Sequence, residues 1–145
     1  MSKSNSWETD LRNLLFINAN AALIGDATGL RGSTTPGSLF VSLHTADPGE
    51  AGDQSTSEVA YTSYARIGVA RSGAGFVVTG NSVSPAAAVN FPTGTGGTGT
   101  ATHFGIGTAS TGTGKLLYKG AITPSIVCGN GISPQLTAAS AITED

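Results

Sequence analysis

The sequence is poor in charge, in cysteine and in long apolar runs, and each shortage excludes a class of protein. Only 11% of the 145 residues are charged and the net charge is −2, without a basic cluster, so binding to nucleic-acid phosphates is not expected. The single cysteine, Cys128, cannot form a disulfide within the chain and fits a small buried hydrophobe. No apolar run approaches the ~20 residues that span a bilayer, and the polar N-terminus does not fit a signal peptide. We therefore expect a protein made in a reducing cytoplasm, without a membrane partner.

The chain is instead rich in glycine, with 21 residues, and in threonine, serine and alanine. Its length suits one domain, 1–145, with a core that needs neither metals nor disulfides. A surface with so few charges is unusual for a lone soluble monomer. Two interpretations stay open: a surface that partners cover in an assembly, or a β protein with polar, uncharged faces.

The N-terminal part predicts one amphipathic helix, 6–24. Ser6 is suited to cap the helix, Glu8 lies in the first turn, and Gly25 is a plausible stop. Apolar residues follow helical spacing, among them Trp7, Leu11 and Leu15. Such a helix packs either on its own domain or on a neighbouring subunit.

The remainder, 38–142, predicts short strands and turns. Residues 39–44 alternate with period two and precede a long acidic turn segment, 45–57. Further strands are expected at 64–70, 75–79, 81–84, 87–91, 102–107, 115–122 and 135–142. The spacing favours an all-β, single-domain β-sandwich or jelly roll with one N-terminal α-helix.

Two glycine motifs resemble nucleotide-binding loops only formally. Gly94-Thr-Gly-Gly-Thr-Gly99 matches the spacing of a dinucleotide fingerprint, but a helix must follow such a motif and the sequence that follows is typical of a strand. Gly112-Thr-Gly-Lys115 lacks two required positions of a phosphate loop, which hold Ala109 and Leu116 instead. We therefore expect no cofactor and a structural role for both segments.

The acidic and histidine residues do not form a recognisable catalytic or metal set. Asp47, Glu50, Asp53 and Glu58 share one loop, but their spacing fits no calcium loop, so a solvated or partner-facing loop is favoured over a cation site. The only histidines, His44 and His103, are expected to bond to loop backbone at strand ends. No nucleophile-elbow motif and no pair of carboxylates on adjacent strands indicates hydrolysis. The sequence thus predicts no metal, no small-molecule substrate and no enzyme.

Tyr64 and Arg66 are spaced to point to the same side of their predicted strand. Tyrosine and arginine are common at interface hot spots. The alternative is an ordinary strand with a snorkelling arginine that pairs with the acidic loop.

Five segments resemble a family of small structural proteins of tailed bacteriophages. They are Leu43–Gly52 (LHTADPGEAG), Tyr64–Arg66 (YAR), Asn90–Thr95 (NFPTGT), Thr102–Thr123 and Leu136–Asp145. The family pattern has Phe-Asp-Ala where this chain has Gly107-Thr-Ala, and the departures fall in loops. Members are variously described as tail, fibre or capsid-associated proteins, so the resemblance implies a virion component without giving its place in the particle.

The preferred interpretation is a capsid cement, or decoration, protein that binds the major capsid protein and stabilises the head. The alternative is a tail or tail-fibre subunit; a carbohydrate-binding β-sandwich is disfavoured because the chain has one Trp. Self-association as a dimer or trimer is expected. The partner-contact candidates are Trp7, Leu11, Leu15, Asp47, Glu50, Tyr64 and Arg66.

Overall fold

A computed structural model describes residues 3–143, and in this range it contains one helix and nine strands. The helix α1 spans Asn5–Phe16. The strands are β1 Ser38–His44, β2 Ile67–Ala70, β3 Phe76–Thr79, β4 Ser82–Pro85, β5 Val89–Asn90, β6 Thr98–Gly107, β7 Leu116–Gly129, β8 Gln135–Leu136 and β9 Ile142–Thr143. The all-β class with one N-terminal helix is confirmed.

The chain divides into two compact units, each made from separated segments. Unit 1 takes the described residues of Met1–Ser38, Val69–Ala87 and Thr137–Asp145. Unit 2 takes Leu39–Gly68 and Ala88–Leu136. The single domain and the sandwich or jelly roll over 38–142 therefore stay predictions.

In unit 1, α1 packs against the edge strand of a three-stranded sheet, ordered β3-β4-β9. The central contact joins Phe16 at the end of α1 to Phe76 at the start of β3, with ring centroids 5.1 Å apart in an edge-to-face arrangement. This aromatic pair holds the C-terminal turn of the helix on the sheet.

The helix is shorter than predicted and begins earlier. Ser4, not Ser6, is the N-cap, and its Oγ accepts a hydrogen bond from the Trp7 amide at 3.4 Å. The helix ends at Phe16, not at residue 24, because Asn18 adopts a left-handed backbone with φ 58°. The side chain of Asn18 fixes this conformation by bonding to both backbone groups of Ser33.

Unit 2 is built on β1 and β6, which lie at the centre of the sheet ordered β2-β1-β6-β7. β1 and β6 pair antiparallel from Phe40↔Gly107 to His44↔His103. A small second sheet pairs β5 with β8. Apolar side chains form the core of the unit, namely Leu39, Val41, Leu43, Val59, Tyr61, Val89, Phe91, Ala101, Ile106, Cys128 and Leu136.

Several strand bounds differ from those predicted. The strand at 64–70 begins only at Ile67, while β6 extends back to Thr98 into the Gly/Thr tract. The predicted strand 135–142 is two short strands, β8 and β9, because the chain passes from unit 2 to unit 1 between them. β7 continues to Gly129 and contains a bulge. At the bulge, residues 122–125 of β7 lie opposite a single residue of β6, Thr102.

Candidate interaction site

The face that α1 buries is not its apolar stripe. The three buried residues are Glu8, Arg12 and Phe16, spaced four apart. Arg12 donates from Nε and Nη2 to the Gly80 carbonyl oxygen, at 3.1 and 2.7 Å, and lies 3.8 Å from the Glu8 carboxylate. A charged stripe thus lies under the helix, where the carbonyl of the β3–β4 turn accepts hydrogen bonds from the buried guanidinium.

The apolar contact candidates Trp7, Leu11 and Leu15 form the neighbouring row on the helix. All three are partly exposed rather than buried. Because side chains four apart share a helix face, the row is a continuous apolar strip beside the buried charged stripe. Part of the apolar surface of the helix therefore stays outside the core of unit 1.

Arg71 caps the C-terminal end of α1, a role that the sequence did not indicate. Its Nε donates to the Leu15 carbonyl at 2.7 Å and its Nη2 to the Leu14 carbonyl at 2.8 Å. Nη1 also donates to the Pro36 carbonyl at 3.0 Å. One cation thus satisfies carbonyls that a helix end leaves unpaired, and it also holds the loop that follows.

The four carboxylates of the predicted acidic loop separate in the structure. Asp47 and Glu50 approach the ammonium of Lys119 on β7, at 2.9 and 3.2 Å. The bonds from the Gly49 amide and from Lys119 lower the pKa of Asp47. This exposed cluster has two carboxylates for one ammonium, so it carries one net negative charge.

The other two carboxylates are used locally. Asp53 accepts hydrogen bonds from the amide and hydroxyl of Ser55, which lower its pKa and close a turn. Glu58 turns away from solvent toward Arg66. Among residues 3–143 no group of three or more His, Cys, Asp or Glu side chains could hold a metal ion.

Arg66 is the centre of a buried polar network, not a surface residue. Its Nε and Nη2 donate to the two carboxylate oxygens of Glu58, at 2.7 and 2.8 Å. The same guanidinium donates to the carbonyls of Ala109 and Gly112, at 3.0 and 2.6 Å. The bond to Glu58 raises the pKa of Arg66, and the guanidinium ties the Gly/Thr/Ser loop between β6 and β7 to the segment that contains Glu58.

Tyr64 shares the carboxylate of Glu58, as its predicted orientation beside Arg66 implies. Its hydroxyl donates to Glu58 Oε1 at 2.8 Å and accepts from the Leu43 amide at 3.1 Å. Burial raises the pKa of Tyr64 far above its ordinary value. Both candidates thus make internal contacts: Tyr64 joins Glu58 to β1, and Arg66 joins Glu58 to the loop between β6 and β7.

Ser42 and His44 form a serine–histidine pair that no substrate can reach in this structure. Ser42 Oγ lies 2.8 Å from His44 Nε2, and His44 Nδ1 lies 2.8 Å from the Thr56 carbonyl. Since a carbonyl only accepts, Nδ1 carries the proton and Nε2 accepts from the serine. Both side chains have 0% exposure. The contact with loop backbone predicted for His44 is confirmed, and loop residues cover the second face of β1.

The glycine motifs have structural roles in the described residues. The strand β6 begins at Thr98, inside the motif Gly94–Gly99, where a dinucleotide site needs a helix to follow. Lys115 precedes β7, and its carbonyl accepts from the Thr108 amide at 3.1 Å to close the loop. Within residues 3–143 the helix is neither long nor apolar enough to cross a membrane.

These features define a β-rich structural protein whose buried polar groups bond internally and whose helix carries a partly exposed apolar strip. The family model described as "Podophage GP4 fiber I protein gp80" matches residues 4–143, nearly the whole chain. The chain therefore belongs to this family, and its assignment to the structural proteins of tailed phages is confirmed. A search of curated proteins found no match.

Proposed function

We propose that the chain is a fibre subunit of the phage virion and that it attaches to its neighbours through α1. The observation that supports this proposal is that α1 buries charged side chains against unit 1 and leaves several of its apolar side chains partly exposed. Arg12 and Phe16 fix α1 from below while Trp7 and Leu11 keep exposed apolar surface. The fibre description of the family favours the tail-fibre alternative over the head.

The anchoring of α1 makes the proposal testable without unfolding unit 1. The double substitution Trp7→Ser and Leu11→Ser leaves the contacts of Arg12, Phe16 and Arg71 in place. We expect the purified variant to keep the circular dichroism spectrum of the wild type but to be missing from assembled particles. Val77→Ser, which alters another exposed apolar residue of unit 1, is the matched control and should be incorporated normally.

The second candidate is the capsid cement protein, with the major capsid protein as its partner. The low charge of the chain, 11%, favours a surface that is extensively covered in an assembly. A protein that binds only the assembled shell stabilises it by mass action. Many copies bound to adjacent subunits would add avidity.

Copy number distinguishes the two candidates. Quantitative mass spectrometry of purified virions, normalised to the major capsid protein, would give a few to a few dozen copies for a fibre subunit. Hundreds of copies, near a simple ratio to the capsid protein, would contradict the fibre proposal and support the cement role. Absence from purified virions would contradict both.

A further inference from the structure

We propose that copies of this chain associate head to tail, with the tip of one loop of unit 1 inserted into a cleft on unit 2 of the next copy. The inserted segment is the 21–30 loop, and the receiving site is named here the β7 cleft. The proposal rests on the fibre proposal and deepens it by naming a second contact between copies, besides the one proposed for α1.

The 21–30 loop presents two adjacent apolar side chains to solvent. Leu23 is 83% exposed, and Ile24 beside it is also exposed. Leu23 has a left-handed backbone, φ 65°, which is unfavourable for a residue of this size. Exposure and strain at the same residue indicate that the loop is shaped for a contact outside its own copy.

Hydrogen bonds make this loop a fixed projection. Ala21 and Leu30 exchange two backbone hydrogen bonds at its base, both 2.9 Å. Below them the Asn20 side chain accepts from the Gly32 amide at 3.0 Å. A loop that is already ordered loses little conformational entropy when it binds.

The β7 cleft offers a receiving site of suitable size. It lies between Gly49–Gly52 and the segment Leu116–Lys119 of β7, and its volume is about 260 Å³. One water takes up ~30 Å³ in the liquid, so the cleft has the volume of several waters. The four-carbon side chain of Leu23 needs less space than that. Leu116 and Leu117 provide apolar surface beside it.

The charges around the two surfaces are complementary. Arg31 is exposed and directly follows the base of the 21–30 loop. The rim of the β7 cleft carries Asp47 and Glu50 with Lys119, one net negative charge, and the Glu50 side chain is 96% exposed. An arginine that arrives with the inserted loop would meet this excess carboxylate.

The proposed contact joins two different surfaces and is not returned about a two-fold axis, which makes it heterologous. A heterologous contact repeats from copy to copy and gives a ring or an open filament, whereas a self-complementary contact stops at a dimer. Association of this kind suits a fibre subunit, and it argues for a second copy of this chain as the occupant.

A charge exchange on the full-length purified protein tests the pairing. We expect Arg31→Glu and Glu50→Arg each to weaken self-association about fivefold or more, since like charges then face each other. The double variant restores the pair with reversed sign and should recover most of the wild-type association. Sedimentation velocity over a range of protein concentrations, at low and at high salt, measures all four proteins.

A second substitution tests the apolar contact. Leu23→Asn replaces the inserted apolar side chain with that of asparagine, a residue that tolerates the left-handed backbone. It should weaken association about tenfold or more, while Val77→Asn, the matched exposed control of unit 1, should not.

Four results would each overturn the proposal. They are a wild type that stays monomeric, a wild type that stops at a dimer, a double variant no better than the single variants, and equal effects of Leu23→Asn and Val77→Asn. None of them bears on the copy number in virions, so this proposal can fail while the fibre proposal stands.

Discussion

Two carboxylate–cation clusters arise from one acidic segment and meet opposite environments. Glu58 pairs with Arg66 where the side chains are only 18% and 2% exposed, and both carboxylate oxygens are bound. Asp47 and Glu50 pair with Lys119 in water. Because water screens charges, the outer cluster contributes little to stability, whereas a buried charge that loses its partner is costly.

The comparison teaches that the same residue types can hold a fold together or remain available for a partner. Sequence spacing does not separate the two cases, since all of these carboxylates lie within one turn-rich segment. The burial of the side chains does separate the two cases, and substitutions in both clusters test whether burial sets their contribution to stability.

The largest effect is expected at Arg66. Arg66→Met removes the fork, leaves the Glu58 carboxylate with the Tyr64 hydroxyl but no cation, and removes the Arg66 donor from the carbonyls of Ala109 and Gly112. We expect a loss of about 3 kcal/mol in the free energy of unfolding. Urea denaturation measures it, and a loss below about 1 kcal/mol would mean that the network is less constrained than its geometry indicates.

A smaller loss is expected for Tyr64→Phe, which removes a hydroxyl but keeps the ring that stacks on Phe91. The Leu43 amide loses its bond to this hydroxyl and Glu58 loses one donor. The cost should be about 1–2 kcal/mol in the same denaturation experiment. Little further loss from Tyr64→Phe in the Arg66→Met background would show that the two side chains act as a unit.

Acid should lower the free energy of unfolding through His44, which is buried in unit 2. Burial lowers the pKa of His44 and outweighs the opposing effects of the Thr56 carbonyl and Glu58. The unfolded chain therefore binds the proton more readily than the folded chain. The contribution of His44 to the free energy of unfolding is fully present above the unfolded pKa, about 6.5. It should fall as the pH drops below this value, by at most about 1.4 kcal/mol per pH unit from this group. Thermal unfolding from pH 7.5 to 5 measures the loss, and His44→Asn should flatten the slope.

The smallest effect is expected in the outer cluster. Lys119→Met separates Asp47 and Glu50 from their cation, but these two carboxylate side chains are 52% and 96% exposed, so solvent screens the pairing. The midpoint of urea denaturation should stay unchanged at low and at high salt. A clear loss of stability would contradict the contrast between the two clusters.

Local patterns predicted the elements of the fold better than their ends. The apolar period of the first helix and the alternation of 39–44 correspond to α1 and β1. The end of α1 was missed because a left-handed Asn18, held by Ser33, stops the helix inside an apolar run. Such a stop depends on a contact that spacing does not contain.

The site was less predictable for the same reason. The sequence left two roles open for Tyr64 and Arg66, an interface or a pairing with the acidic loop, and both bind Glu58 inside unit 2. Arg71 gave no signal as a helix cap because its acceptors at Leu14 and Leu15 lie far away in sequence. The contact candidates on α1 and in the outer cluster lie at exposed or partly exposed positions, and their contacts stay predictions.

The interleaving of the two units has a consequence for synthesis on the ribosome. The sheet of unit 1 includes β9, which pairs with β4. In the sequence these two strands are separated by Ala88–Leu136 of unit 2. The last residue of unit 2, Leu136, is made before Ile142, and the sheet of unit 1 stays incomplete until β9 has been made. The apolar strip of α1 therefore lacks its finished support during most of translation, when premature contacts between nascent chains would be most harmful.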